Sequence, residues 1–112
     1  MPTSALAFSP LGLSKSFTAA TTAPTSVQSV PTDTTRGAYQ YRVANSSTTT
    51  VVLLGVGASD AAAKTAAASL AAGAIPLLPG AIEVLSFPAN SFFSGTVASG
   101  TAVVYVTPGE GL

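Results

Sequence analysis

The chain has 112 residues, the size of one compact domain. Only 7% of its residues are charged, four basic and four acidic, and histidine, cysteine and tryptophan are absent. This composition excludes a disulfide, a metal site built on thiolate or histidine, and a Ser-His-Asp triad. The four cations are scattered along the chain, which argues against nucleic acid as a partner.

Long uncharged stretches raise the question of membrane insertion. Each of them is interrupted: residues 65–82 contain two glycines and two prolines, and residues 84–109 contain Pro88, Asn90 and many Ser and Thr. A spanning helix needs about 20 predominantly apolar residues in a row. The N-terminus also lacks the basic and continuous apolar regions of a signal peptide. We therefore expect a protein that neither enters a membrane nor is secreted.

Residues 1–37 differ from the rest, because they are rich in Ser, Thr, Ala and Pro and carry few apolar residues. One interpretation is a disordered tail, and the other is an extended arm that becomes ordered on a neighbouring subunit or lattice. A solvated tail has little use for large apolar side chains, which favours the arm. Its candidate interface residues are Phe8, Leu11, Leu13 and Phe17.

The sequence pattern from residue 38 onward predicts β-strands. Tyr39, Tyr41 and Val43 alternate with polar residues, so one face of this strand is apolar. Turn-forming residues follow at 45–47, and a β-branched run covers residues 49–56. We predict that these two strands form a hairpin.

Residues 59–72 are the exception to the β-pattern. Ser59 or Asp60 suits a helix N-cap, eight of residues 61–72 are Ala, and Gly73 suits the C-terminal stop. Asp60 and Lys64 have the spacing of a helical ion pair. The pattern predicts a short helix. A flexible loop is the alternative, because such short Ala-rich helices are marginal on their own.

Four further strands are predicted, over residues 74–78, 82–87, 91–97 and 101–107. Pro76 cannot donate to a ladder and so places the first of them at a sheet edge. Pro79 and Gly80 match a type II turn. The fold class that follows is all-β: a small antiparallel β-sandwich, jelly-roll-like, over residues 38–112, preceded by the extended arm over residues 1–37.

No group of residues predicts catalysis, a cofactor site or a metal site. The four carboxylates, Asp33, Asp60, Glu83 and Glu110, have no spacing that brings two of them together, so we expect no enzyme. Two adjacent aromatic residues are candidates for contact with a partner. Phe92 and Phe93 are adjacent and face opposite sides of a strand, so one of them can enter the core while the other meets a partner.

Arg42 and Glu83 lie on predicted strands, and either of them could form a cross-strand pair or a bridge between subunits. An ordinary surface charge is the alternative, and the sequence favours it. Arg42, Phe92 and Phe93 complete the set of candidate interface residues.

A resemblance covers about half of the chain. The segments YRVAN (41–45), IPLLPGAIEVL (75–85) and ASGTAVVYVTPGEGL (98–112) resemble small decoration, or cement, proteins of tailed double-stranded-DNA bacteriophages. The resemblance implies a β-sandwich that sits on the outside of the capsid. It also implies binding to the lattice of the major capsid protein, self-assembly with a trimer favoured over a dimer, and synthesis in the cytoplasm of the bacterial host.

Other functions stay open at this point. A head-fibre base, a tail component or an adaptor would share the same virion character but occur in fewer copies. A carbohydrate-binding β-module is a weaker alternative, because the chain lacks Trp and has few acids. A low-charge composition fits each of these contact proteins, since contacts that are not ionic are insensitive to salt.

Overall fold

The computed structural model of the chain describes residues 8–30 and 38–110. These residues form nine β-strands, one α-helix and one short 3-10 helix. In chain order the elements are β1 (Ser9–Pro10), β2 (Lys15–Ala19), β3 (Val27–Gln28), β4 (Ala38–Asn45), β5 (Val52–Gly57), α1 (Asp60–Ala67), the 3-10 helix Leu70–Ala72, β6 (Ile75–Leu77), β7 (Ile82–Pro88), β8 (Phe92–Thr96) and β9 (Ala102–Glu110).

Two antiparallel sheets pack face to face, so the protein is the small β-sandwich that the sequence predicts. Sheet A has the order β1-β9-β4-β7, and β2 pairs with β9 along the same edge as β1. Sheet B has the order β3-β8-β5-β6. The chain passes between the sheets after β2, β3, β4, β6, β7 and β8, so most neighbours in sequence belong to opposite sheets.

The predicted hairpin between the first two strands after residue 38, which are β4 and β5 in the structure, is wrong. β4 pairs with β7 and β9 in sheet A, whereas β5 pairs with β6 and β8 in sheet B. The reason is the inward-facing residues of the two strands. Tyr41 and Val43 on β4 and Leu54 on β5 are fully buried. Strands with one apolar face each bury more surface across a sandwich than side by side in one sheet.

Alternation of buried and exposed residues places the core between the sheets. Its centre is a cluster of three aromatic rings: Tyr41 lies 5.0 Å from Phe93 and 6.2 Å from Phe87, and the last two rings are 5.8 Å apart. The Tyr41 hydroxyl donates a hydrogen bond of 3.0 Å to the carbonyl of Ala89. Burial raises the pKa of this hydroxyl, and the nearby Tyr39 adds to the effect.

Residues 8–30 lie on the same chain's sandwich. β2 adds an edge strand to sheet A and β3 adds one to sheet B, so this segment crosses from one sheet to the other. Phe17 and Ala19 on β2 are buried in the common core. The remainder of the predicted arm, residues 1–7 and 31–37, lies outside the described residues.

The predicted helix ends, turn and edge strand within residues 38–110 are confirmed. Ser59 caps α1 by accepting a hydrogen bond from the amide of Ala62, and Gly73 ends the following 3-10 helix with φ +107°. Residues 59–72 therefore contain a helix rather than a loop. The amide of Ala81 donates to the carbonyl of Leu78 across the Pro79–Gly80 turn, where Gly80 has φ +76°. β6, which contains Pro76, is an edge strand of sheet B.

Candidate docking face

The outer face of sheet B is covered by α1. A side chain at Gly55 or Gly57 would collide with the helix, since a Cβ atom would lie 2.7 Å from that of Ala67 and 2.6 Å from that of Ala62 respectively. The Thr96 hydroxyl on β8 donates a hydrogen bond of 2.6 Å to the carbonyl of Ala67. The helix therefore rests directly on the backbone of β5 and is held to β8.

Residues 24–26 are fastened to the same outer face. The amide of Ser26 donates a hydrogen bond of 2.8 Å to Asp60, and the Ser94 hydroxyl donates one of 2.9 Å to the carbonyl of Pro24. Lys64 Nζ lies 3.2 Å from the second oxygen of Asp60, which confirms the predicted helical ion pair. The hydrogen bonds from Ser26, followed by the contact with Lys64, lower the pKa of Asp60 to about 2.

A pH dependence follows from this carboxylate. Its pKa is about 2 in the folded chain and 3.8 as an isolated group, so its contribution to stability is present above pH 4 and is lost as the pH falls toward 2. Asp60→Asn removes this charge. We expect the Tm of the wild type to exceed that of the variant at pH 7 and to approach it as the pH falls to 2. Melting curves at intervals between pH 7 and 2 measure the difference.

Glu83→Gln is the control for this experiment, because Glu83 makes no ion pair with a described residue. Its Tm should follow that of the wild type through the same interval. If Asp60→Asn also follows the wild type at every pH, the Ser26–Asp60 contact contributes nothing to stability.

The outer face of sheet A is different, because neither helix nor strand of the described residues lies over its centre. Two cross-strand rows form this surface: Ile82, Ala44 and Tyr105 in one, and Val84, Arg42 and Thr107 in the other. We call these six residues the docking face. Ile82 is 67% exposed, Tyr105 47% and Val84 36%. Contiguous exposed apolar residues on a sheet mark a contact surface.

A shallow groove of about 440 Å³ runs across the docking face, and Ser14 closes one side of it. The Ser14 and Thr107 hydroxyls are hydrogen bonded to each other at 2.6 Å. The groove therefore offers a partner an apolar floor, a fixed pair of hydroxyls and one cation.

That cation, Arg42, is oriented by an aromatic ring. Its guanidinium carbon lies 5.3 Å from the centroid of Phe8, an attractive cation–π distance. Phe8 in turn packs against the backbone at Gly109, where a Cβ atom would collide with the ring. Arg42 makes no salt bridge within residues 8–30 and 38–110. It is a positioned cation that has no carboxylate partner among the described residues.

The predicted interface residues are distributed over several places. Phe8 and Arg42 meet at the docking face. Phe17 and Phe93 are buried in the core, and Leu11 packs against that core. Leu13 is 80% exposed, and Phe92 is half-buried on β8.

Ile82, Val84 and Tyr105 were not among the predicted interface residues. The alternating pattern of β7 and β9 carries a signal for them, because every second residue of those strands must face away from the core.

A larger cleft of about 770 Å³ lies between α1 and residues 21–23, with Val51 and Leu53 on its walls. Lys64 is the charged residue of this cleft, and Asp60 already neutralises it. The cleft therefore lacks the positioned, unpaired charge of the docking face, and we regard it as the weaker candidate.

Within the described ranges, no three residues of the His, Cys, Asp and Glu types come together as a metal site. No helix of that part is long and apolar enough to cross a membrane. Comparisons of the chain with family models, curated proteins and solved structures give no match.

Proposed function

We propose that this protein is a virion structural protein that binds the outside of a tailed-phage capsid and stabilises it. Its partners are the lattice of the major capsid protein and further copies of itself, with a trimer as the assembly. The observation that carries the proposal is the docking face: a sheet surface with exposed Ile82 and Val84 around Arg42, which has no salt bridge among the described residues, on a chain of which 7% is charged. The resemblance of residues 75–85 and 98–112 to decoration proteins gives additional support.

The size of the docking face supports a protein that works in many copies. Its six residues lie on three strands about 4.8 Å apart and extend over about three residues of about 3.3 Å each, which gives roughly 150 Å². A standard interface buries about 800 Å² on each partner. One copy would therefore bind weakly, whereas a trimer presenting three such faces to a repetitive lattice would gain avidity.

The lattice contact predicts the effect of charge on the docking face. Val84→Asp places a carboxylate on an apolar contact, and Arg42→Glu replaces the cation that a lattice carboxylate would meet. We expect each variant to bind capsids at least about tenfold more weakly, because unpaired charges in an interface cost several kcal/mol. Cosedimentation of purified protein with capsids assembled without it measures the affinity.

Leu70→Asp is the matched control, because Leu70 is an exposed apolar residue, 60% exposed against 36% for Val84, that lies on the 3-10 helix away from the docking face. It should bind like the wild type. Quantitative mass spectrometry of purified virions provides the independent test: hundreds of copies per particle are expected. A handful of copies, or none, would contradict a decoration protein.

A further inference from the structure

Sheet A ends at two edges that carry opposite charges. One edge is β7 and the other is β2. Lys15 on β2 pairs in register with Val106, Val106 with Val43, and Val43 with Glu83 on β7. A single cross-strand row thus has a cation at one end, two buried valines in the middle and a carboxylate at the other end.

Neither charge is used inside the described part of the chain. Lys15 is exposed and Glu83 half-exposed, and the ion pair seen there is Asp60–Lys64. Glu83 is also one residue out of register with Arg42, which lies opposite Val84, and their side chains point to opposite faces of the sheet. Arg42 and Glu83 therefore do not form a cross-strand pair with each other, and the Glu83 carboxylate is available to a partner at this edge.

The strand directions permit that partner to be a second copy. Each neighbouring pair in sheet A is antiparallel, from β2 through β9 and β4 to β7, so β2 and β7 run in opposite directions. A second copy in the same orientation beside the first would therefore place its β2 antiparallel to β7. This is the arrangement in which an exposed edge accepts a further strand.

We infer that copies of this chain associate side by side, with the β7 edge of one against the β2 edge of the next and Glu83 paired with Lys15 across the contact. In this register Ile82 lies level with Ser16 of the neighbour, since both are level with Tyr105 and Ala44 in a single chain. Leu13, which is 80% exposed, precedes Lys15 by two residues and would lie along the same edge.

The contact has a defined extent. Pro10 on β1 lacks an amide hydrogen and cannot donate to a neighbouring strand. Pro10 and Lys15 are five residues apart, whereas their partners on β9, Gly109 and Val106, are three residues apart, so the edge is irregular between β1 and β2. Pairing is therefore confined to β2 and the first residues of β7. The contact is heterologous, because different edges meet, and such contacts form a ring where the rotation between copies closes and an open filament where it does not. It concerns only the self-assembly part of the proposed function. Edge pairing extends sheet A sideways, so Ile82 borders the contact while the outward side chains of the docking face still point away from the sheet.

Charge reversal tests the pairing. Lys15→Glu and Glu83→Lys each place like charges opposite one another, so we expect either change to raise the dissociation constant of the assembly about tenfold. The double swap, Lys15→Glu with Glu83→Lys, restores opposite charges and should return the constant to within about threefold of the wild type. Sedimentation velocity of the full chain over a range of concentrations measures the assembly.

Arg42→Glu is the matched control, because it changes the net charge as Lys15→Glu does but lies on the docking face. It should leave self-association unchanged. A wild type that stays monomeric at high concentration would overturn the inference, and so would a double swap as weak as its parents. Loss of assembly in Arg42→Glu alone would assign the self-contact to the docking face instead.

A disulfide trap tests the geometry without relying on affinity. The chain has no cysteine, so Lys15→Cys with Glu83→Cys introduces the sole thiols. Within one chain the two positions are three strand spacings apart, about 14 Å, too far for a disulfide. Oxidation should therefore give covalent oligomers on a gel without reductant, while either single variant gives dimers at most. Monomer alone in the double variant would contradict the edge contact, provided that its circular dichroism matches the wild type.

Failure of this contact and failure of the capsid proposal are separate results. Capsid binding by a chain that does not self-associate would overturn only the edge pairing. Self-association without any binding to capsids would overturn only the lattice contact.

Discussion

Gly55→Ala lowers the free energy of unfolding by about 3 kcal/mol, because a new methyl group cannot fit between β5 and α1. The added Cβ would lie 2.7 Å from the Cβ of Ala67 and would also collide with the helix backbone at Ala63. These neighbours are helix backbone and a methyl group, so no flexible side chain can move aside. Either α1 lifts from the sheet, which stretches the Thr96–Ala67 hydrogen bond, or β5 bends away from the helix.

The measurement is the Tm and the urea midpoint. A loss of 3 kcal/mol in a domain of this size corresponds to a fall in Tm of roughly 10 °C or more. Gly100→Ala is the control, because Gly100 has φ +74° but open space around its Cβ position. That change costs only the backbone strain of about 1 to 2 kcal/mol. If Gly55→Ala is no more destabilising than Gly100→Ala, the close approach of α1 is not what stabilises this side of the sandwich.

The close contact also explains how so short a helix is stable. α1 has eight residues, too few for a stable isolated helix even when most are Ala. Its Ala side chains allow the helix backbone to approach the sheet, and Gly55 and Gly57 allow the strand to receive it. The composition signals helix propensity, but the contact with β5 stabilises the helix.

Strands and turns of the body could be predicted from the sequence because their signals are local. Pro79 and Gly80 fix one turn, and Ser59 with Gly73 fixes the ends of the helical region, wherever the rest of the chain lies. Pairing could not be predicted in the same way. The predicted hairpin was wrong because β4 and β5 lie in different sheets and face each other across the core. Each sheet is completed by strands that come 30 to 60 residues later in the chain, β9 beside β4 and β8 beside β5.

The docking face was only partly predictable for a related reason. Arg42 was nominated, but Ile82 and Val84 were not, because β7 carries apolar residues on both faces. Its inward face begins with the charged Glu83, while its outward face begins with Ile82. A hydrophobic pattern normally places the charge outside and Ile inside. Only the pairing of β7 with the alternating Tyr41 and Val43 of β4 reveals that the pattern is inverted at this edge.

Phe17 was predicted to contact a partner, but it packs in the core of its own chain. It lies in a segment whose composition suggests an arm, yet its ring is 5% exposed and packs beneath β8. A Cβ atom at Gly95 would lie 2.9 Å from that ring, so the glycine on β8 makes the space that Phe17 fills. Glycine on one strand and phenylalanine 78 positions earlier form a complementary pair that periodicity alone cannot detect.

Asn45→Asp should be among the most destabilising changes of equal size in this protein. Asn45 is 2% exposed at the end of β4, and its amide nitrogen faces three carbonyl oxygens. They belong to Thr50 at 2.9 Å, Leu77 at 3.1 Å and Leu78 at 3.2 Å. Its own oxygen accepts a hydrogen bond of 3.0 Å from the amide of Ser47. This one side chain therefore ties the loop after β4 to the end of β6.

A carboxylate at position 45 would replace the donor by a charged acceptor among three carbonyl oxygens. Burial and this repulsion raise the pKa of the introduced carboxyl, so its cost is present at neutral pH and declines as the pH falls toward that pKa. The direction is opposite to that of Asp60, whose pKa is lowered to about 2 by hydrogen bonds from Ser26 and by Lys64. We expect Asn45→Asp to lose about 3 to 5 kcal/mol at pH 7 and part of that at pH 4. Urea unfolding at the two pH values measures both losses.

Ser46→Ala separates this effect from a general weakness of the loop, because the Ser46 hydroxyl is exposed and donates a single hydrogen bond of 2.8 Å to Val103. Removing it should cost about 1 kcal/mol with no dependence on pH. An Asn45→Asp protein as stable as Ser46→Ala, or one whose loss is the same at pH 4 as at pH 7, would show that no charge is buried at this position. A loss that shrinks with acid would instead identify Asn45 as the residue that holds two loops and two sheets in one arrangement, since no other described side chain donates to all three of these carbonyls.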